Sequence, residues 1–498
     1  MTESILIIGA GIAGLSAGCY GQMNGYQTRV FEMHEKPGGL CTAWKRKGYT
    51  FDGCVHWLAG SGEGAEFNRT WQELGAVQGR QFINHDVFQR IEASDGRAFS
   101  MYTDIDRLER HMKALSPADS TVIEELCNGA RRLTRGDAPS GPLTGIRQII
   151  GMVPAMATML KYGRTTAQAF AARFKDPFLR QAFVAGLRDM PEVPALLMMM
   201  LIASMHDGDA GYPVGGSLPL AQAVERRYLD LGGEIHYRSR VDRILVEHDR
   251  AIGIRLIDGT EHRADIVISA ADGHATIFGM LGGRYVSDKV QSYYQELPIF
   301  LSCIQVSLGV ARDLSDEPHT VVCQLDEPMD IGGKRVEHIT FRHLCYDPSM
   351  APPGKSVLIV DFFMCDHAYW KPLSKEPERY EAEKQDVAIK VIGQLERRLP
   401  GISEQIEVVD VSTPLTIERY TGNWQGSIQG WMITPNTIGL MLRGMAKTLP
   451  GLEGFYMAGQ WVEPGGGLPS AATSGRNVIR AICKKDKKAF ETSLPAAA

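Results

Sequence analysis

The sequence predicts an α/β fold in which helices cover a parallel sheet and an α+β insertion interrupts it. Three observations predict it. Ile5-Leu6-Ile7-Ile8 is an apolar run suited to a buried parallel strand, and Gly9, Gly11 and Gly14 follow as G-x-G-x-x-G before a small-residue helix. A second strand–helix pattern returns over residues 212–270. A third, Phe455-Tyr456-Met457-Ala458-Gly459, runs into a glycine turn and another helix. Strand, glycines, helix, strand and acid in that order define a Rossmann-type dinucleotide-binding domain, here assembled from three segments.

In the first segment, residues 1–64, each glycine has its own role. Gly9 permits the tight turn. Gly11 lets backbone approach a pyrophosphate, and Gly14 lets the helix pack close to the sheet. That helix, expected over residues 13–24, aims its N-terminus at the phosphates, with Ile12 and Ala13 at its start. A strand over 28–31 ends in Glu32, 18 residues after Gly14 and near the ~20 at which an acid bonds ribose hydroxyls. Gly38-Gly39 suits a second close approach to the pyrophosphate, with Met33 and Leu40 flanking the same cradle. Tyr49, Phe51, Val55 and Trp57 share one face at period two, as in a half-buried strand. With the glycine motif beginning so early, no targeting segment is expected before it.

Residues 65–208 read as the helical part of an inserted substrate domain. Ser116-Pro117 starts a helix, and a Pro/Gly break spans 137–142. Ile149 to Leu160 is apolar and methionine-rich, with Lys161 and Arg164 after it. It reads equally as an amphipathic segment touching a bilayer and as a buried core helix. Met198, Met199, Met200 and Met205 suit an adaptable cavity wall or a core. The dinucleotide domain resumes over 209–285, with a helix from 218 to 231 and a hairpin at Asp258-Gly259. Residues 286–445 return to the substrate domain with an antiparallel sheet and a long charged helix over 376–399. Residues 446–484 complete the first domain, and the tail, 485–498, is expected to fray.

Composition narrows the class. A chain of 498 residues exceeds one compact core. A net charge of −5 gives no reason to expect nucleic acid as a partner. Nine scattered cysteines without C-x-x-C read as reduced thiols in a cytoplasmic protein. No apolar run reaches the ~18 residues of a membrane span. No H-E-x-x-H or Cys/His spacing suggests a metal, and no G-x-S-x-G elbow is present.

One G-x-G-x-x-G without a second such unit, plus Gly465-Gly466-Gly467 opening the last helix, fits FAD better than a nicotinamide nucleotide. That helix N-terminus would stabilise negative charge on a reduced flavin. The sequence resembles the phytoene desaturase, carotenoid isomerase and retinol saturase superfamily over nearly its whole length. The resemblance rests on Gly9–Gly14, Gly38-Gly39, Gly48-Tyr49-Thr50-Phe51-Asp52, Tyr212-Pro213-Val214-Gly215-Gly216-Ser217, Val267-Ile268-Ser269-Ala270-Ala271-Asp272 and residues 459–475. It implies FAD, with Val241 near the adenine and Gly459, Gln460, Gly467, Leu468 and Pro469 around ribityl and ring. It also implies a hydrophobic polyene or isoprenoid substrate and peripheral membrane access. Gln460 stands where members often carry an acid, and Glu463 where phytoene desaturases often carry histidine.

Oxidation at a C–H bond needs orientation and exclusion of water more than a strong base. Where a proton is also lost, Glu463 and His56 are the catalytic candidates. Trp57, Arg419 and Trp424 are candidates for the substrate wall. A flavin amine oxidase and a non-catalytic FAD-binding partner protein are the alternative functions; the electron acceptor stays open.

Overall fold

The computed structural model describes residues 3–65, 67–135, 146–188 and 190–495. Strand Ser4–Ile8 sits at the centre of a five-stranded parallel sheet. Gln27–Phe31 and then Glu234–His236 lie on one side; Ile266–Ser269 and then Phe455–Met457 lie on the other. Ile5, Leu6 and Ile7 pair with Ile266, Val267 and Ile268, which explains the unbroken apolar run: both faces of the strand are covered. The sheet therefore takes its strands from three separated stretches of chain.

Helix Ile12–Met23 lies against helix Gly467–Lys485. The approach is so close that a Cβ on Gly475 would stand 2.4 Å from Ala13 O and 2.6 Å from Ala17 N. Ser16 Oγ donates to Ala472 O at 2.6 Å across the same seam. The tail does not fray within the described residues. Arg227 Nη2 donates to Ser493 O and Oγ at 3.0 and 2.9 Å, and Glu491 N–H donates to Asn24 Oδ1 at 2.8 Å. The anchoring partners, Arg227 and Asn24, lie far back in the chain, so nothing local announced them.

A seven-stranded sheet forms the floor of the second region, in the order Ile406–Ser412, Ser302–Val310, Ser356–Cys365, Lys334–His343, Thr320–Ile331, Val87–Glu92, Ala98–Tyr102. Helix Pro377–Arg398 covers it, burying Val387, Val391 and Leu395 at helical spacing against Ile304, Val306 and Phe341. Val87–Glu92 and Ala98–Tyr102 lie in the stretch read as helical. Val87–Glu92 pairs in parallel with Val321, Val322 and Cys323, far along the chain, so no local pattern announced it.

The period-two segment at 49–57 forms a strand only over Tyr49–Asp52; beyond Gly53 the chain leaves the sheet and carries His56 and Trp57 to a cavity. Helix Ile146–Gly163 exposes Val153, Met156, Met159 and Leu160. Met198, Met199 and Met205 are buried in a core, while Met200 is 37% exposed. The break at 137–142 lies outside the described residues. No helix among them is long and apolar enough to cross a membrane.

Candidate active site

A cavity of about 1890 Å³ follows the carboxyl ends of the parallel strands, at Ile8, Phe31, Ala270 and Ala458. That is where open α/β sheets bind ligands. One small ligand usually needs ~300–1,000 Å³, so this space suits a dinucleotide and a second molecule together.

The dinucleotide side is made of turns whose backbone faces the cavity. Gly9 has φ +98° and donates its N–H to Phe31 O at 2.8 Å. A Cβ on Gly11 would meet nothing within 4 Å, so its backbone borders open space. Ile12 and Ala13 begin the helix on the same wall. Gly38, with φ +108°, donates its N–H to Ala10 O at 2.9 Å, which holds Gly38-Gly39 and Leu40 beside the first turn. Gly465, Gly466 and Gly467 have φ +123°, +62° and +76° in succession. They deliver the N-terminus of the last helix to the cavity with Leu468 and Pro469, and Gly459 and Gln460 line it nearby.

Glu32 is 7% exposed and lines the cavity with Met33. Its Oε2 accepts the Ala10 N–H at 2.7 Å, and its Oε1 accepts the His34 N–H at 2.9 Å. Each oxygen keeps a lone pair for a hydroxyl. Val241 lines the wall beyond it. Gly14 does not reach the cavity. A Cβ there would stand 1.9 Å from Gly9 O, so its part is to bring the helix against the turn.

The other side is apolar, built from Phe88, Leu187, Met190, Val193, Leu197 and Leu201, with Met159 and Met200 at its outer part. Trp57 lines it, and Arg419 lines the exposed rim over the Tyr420 ring at 4.9 Å.

Two expectations need correction. Glu463 is not on the cavity wall. Its N–H closes a turn onto Gly459 O at 2.9 Å, and its carboxylate pairs with Lys447 Nζ at 2.5 Å. Trp424 is not on the wall either. Its ring stacks on His274 with centroids 4.8 Å apart, next to Tyr294. Its N–H donates to Asp272 Oδ2 at 2.9 Å, so it belongs to an aromatic cluster behind the wall.

Asp272 does line the cavity. Burial pushes its carboxyl up to about 6, against N–H groups of Trp424 and Ala275 that favour the ionised form. Both oxygens are thereby engaged. His56 reaches the cavity within a charged group that sequence reasoning missed: Arg188, Arg342 and Asp361. They lie on a helix end and two neighbouring strands, so no spacing in the sequence could reveal them.

A glycine-lined cradle with Glu32 on its wall, open to an apolar chamber, is the arrangement of a dinucleotide-dependent oxidoreductase. Comparison with known proteins agrees. The model of the flavin containing amine oxidoreductase family matches residues 12–483, and the chain belongs to that family. It is 27% identical to a chloroplastic prolycopene isomerase of Arabidopsis thaliana over 94% of this chain and 81% of that protein. It is 28% identical to a neurosporene-forming phytoene desaturase of Rhodobacter capsulatus, over 96% and 93% respectively. Among solved structures, an oxidoreductase from Methanosarcina mazei shares the fold at TM-score 0.64 and 19% identity, covering 96% of this chain and 100% of that one. A putrescine oxidase with bound putrescine shares it at TM-score 0.62 and 14% identity, covering 97% and 99%. The protein is an FAD-dependent oxidoreductase.

Proposed function

We propose that this enzyme changes the oxidation level or geometry of C–C and C=C bonds in a long hydrophobic polyene or isoprenoid, as the relatives named prolycopene isomerase and phytoene desaturase do with theirs. The observation that carries the reading is the apolar chamber joined to the dinucleotide cradle. Gly9, Gly11, Ile12, Ala13, Glu32, Met33, Gly38, Gly39, Leu40, Val241, Gly459, Gln460, Gly467, Leu468 and Pro469 would hold FAD. The backbone N–H groups of the two glycine turns would face its phosphates, and Glu32 its ribose. Bound FAD supplies a two-electron acceptor or donor.

The chain's own contribution is placement and dryness. Phe88, Met190, Val193, Leu197 and Leu201 would align an extended chain and exclude water, which lets orientation supply much of the rate. Trp57 would pack on that chain near His56. The exposed Val153, Met156 and Leu160 adjoin Met159, itself on the cavity wall, so this helix would seat on a bilayer and pass substrate inward, with Arg164 toward anionic lipid while Lys161 is held by Glu125. The alternative amine oxidase reading has less support: the putrescine oxidase shares the fold at 14% identity, against 27% and 28% for the prolycopene isomerase and the phytoene desaturase.

The test is anaerobic photoreduction of the purified enzyme, followed by addition of polyenes or of amines with product analysis. Polyene turnover supports the reading; turnover of amines alone overturns it. Flotation with anionic liposomes at low salt tests the membrane seat. Protein that stays at the bottom of the gradient refutes it.

A further inference from the structure

His56 stands between two arginines. Arg188 Nη2 donates to His56 Nδ1 at 2.7 Å, and Arg342 Nη1 contacts the same ring. Arg342 Nη1 reaches both nitrogens of the ring, so the imidazole is wedged between the two guanidiniums. Asp361 Oδ2 lies 3.8 Å from His56 Nε2, 3.8 Å from Arg188 Nη1 and 3.5 Å from Arg342 Nη2. Those distances exceed the ~3.2 Å reach of a good N–H···O bond. The carboxylate therefore offsets charge without using up the guanidinium donors.

The group is deeply placed. The side chains of Arg342 and Asp361 are 7% and 5% exposed, and the buried Arg342 Nε has no hydrogen-bond partner. Asp361 approaches both guanidiniums without a close bond to either, and Asp52, which also feels the Arg342 charge, spends its oxygens on Ser217 and on the N–H groups of Cys54 and Val55. Buried guanidinium donors without close partners are costly unless an anion completes them. Arg188 also holds φ +55°, a strained backbone for a side-chain-bearing residue, and its guanidinium packs 4.5 Å over the Phe363 ring. Two features thus fix its fork on the chamber wall. His56, Arg188 and Arg342 together border a side chamber of about 40 Å³. At ~10–15 Å³ per water-sized probe, that holds about three such groups, the scale of a carboxylate.

We propose that the hydrophobic substrate carries a carboxylate at one end and that Arg188 and Arg342 bind it, with His56 setting the spacing of the two guanidiniums. The inference rests on the proposed hydrophobic-chain reading and names the head group of that substrate. Arg188 and Arg342 are binding residues, and His56 is a positioning residue.

The experiment uses FAD-loaded enzyme and the fluorescent tetraene cis-parinaric acid beside its methyl ester. Wild type should bind the acid about 10- to 100-fold more tightly than the ester, the range of a charge-assisted bidentate contact. Arg188→Gln should bring the acid down to the affinity of the ester while FAD content and ester binding hold. His56→Gln, which can still accept from a guanidinium, should keep most of the acid preference; His56→Leu should lose it. Equal binding of acid and ester by wild type overturns the head-group assignment and leaves the hydrophobic-chain reading standing. An acid preference that persists in Arg188→Gln also overturns it. Binding of neither probe overturns the hydrophobic-chain reading and the inference with it.

Discussion

Glu32 offers the sharpest test of how the cradle is built, because its carboxylate serves the protein before any nucleotide arrives. Its two oxygens accept the N–H groups of Ala10 and His34 at 2.7 and 2.9 Å in a nearly buried setting. A hydrogen bond to a charged group is worth ~1.5–3 kcal/mol. Glu32→Ala removes both bonds, so the FAD-free protein should lose about 3–6 kcal/mol, less whatever water entering the gap returns. Glu32→Gln keeps one acceptor oxygen and turns an amide donor toward the other N–H. It should lose about half as much. FAD affinity of the folded Glu32→Ala protein should fall a further ~10- to 100-fold through the lost ribose contact. Urea unfolding of the FAD-free proteins gives the first quantity, and flavin fluorescence titration gives the second. Amide exchange locates the cause: Ala10 and His34 should lose protection together in Glu32→Ala. An FAD-free Glu32→Ala protein as stable as wild type, with both amides still protected, would refute the reasoning.

Other outcomes follow from the same geometry. Glu463→Gln should retain FAD and turn over within about twofold of wild type, because its carboxylate pairs with Lys447 away from the cavity; a loss in the ~10²–10⁴ range of an acid–base group would place it in the chemistry after all. Gly475→Ala should cost FAD loading and solubility, since its Cβ would press on backbone atoms 2.4 and 2.6 Å away, and a fully loaded variant would contradict the helix seam. The Glu125 carboxyl is held well below its usual range by Arg173 first, with Lys161 and Tyr162 also bonding it. Its stabilisation is present above the unfolded value of ~4.3 and lost as pH falls below it, so Glu125→Gln should melt earlier than wild type at pH 7 and converge with it in acid. Acid precipitation should release all flavin to the supernatant, as expected of a noncovalent cofactor; yellow protein in the pellet would overturn this.

The cofactor fold was legible because its signals are local. The apolar strand at Ser4–Ile8, the glycines after it and Glu32 all fall within a short stretch, and each has a steric or electrostatic reason that one window can hold. The Asp258-Gly259 hairpin and the helix Pro377–Arg398 were readable for the same reason. What escaped was set by distant partners. Gln89, Arg90 and Glu92 look unlike a core strand until Val321 to Cys323 lie beside them. Glu463 follows the residues that turn into the cavity, yet it points to Lys447, which no spacing rule connects to it. Arg188, Arg342 and Asp361 converge on His56 from three places in the chain, and charge carries no periodicity by which such a meeting could be foreseen.

The seam between helices Ile12–Met23 and Gly467–Lys485 also imposes an order in time. A ribosome delivers roughly 5–20 residues per second. Roughly 20–90 s therefore separate the emergence of the glycine motif from that of the helix that closes over it. Throughout that interval Ala13, Ser16 and Ala17 lack their partners, and strand Ile266–Ser269, once made, has a bare edge until Phe455–Met457 emerges to dock. The nascent chain thus begins its nucleotide site first and finishes it last. A chain truncated anywhere between Gly14 and Gly467 would carry the full glycine motif and no competent cradle, and such a fragment should be found with chaperones rather than with flavin.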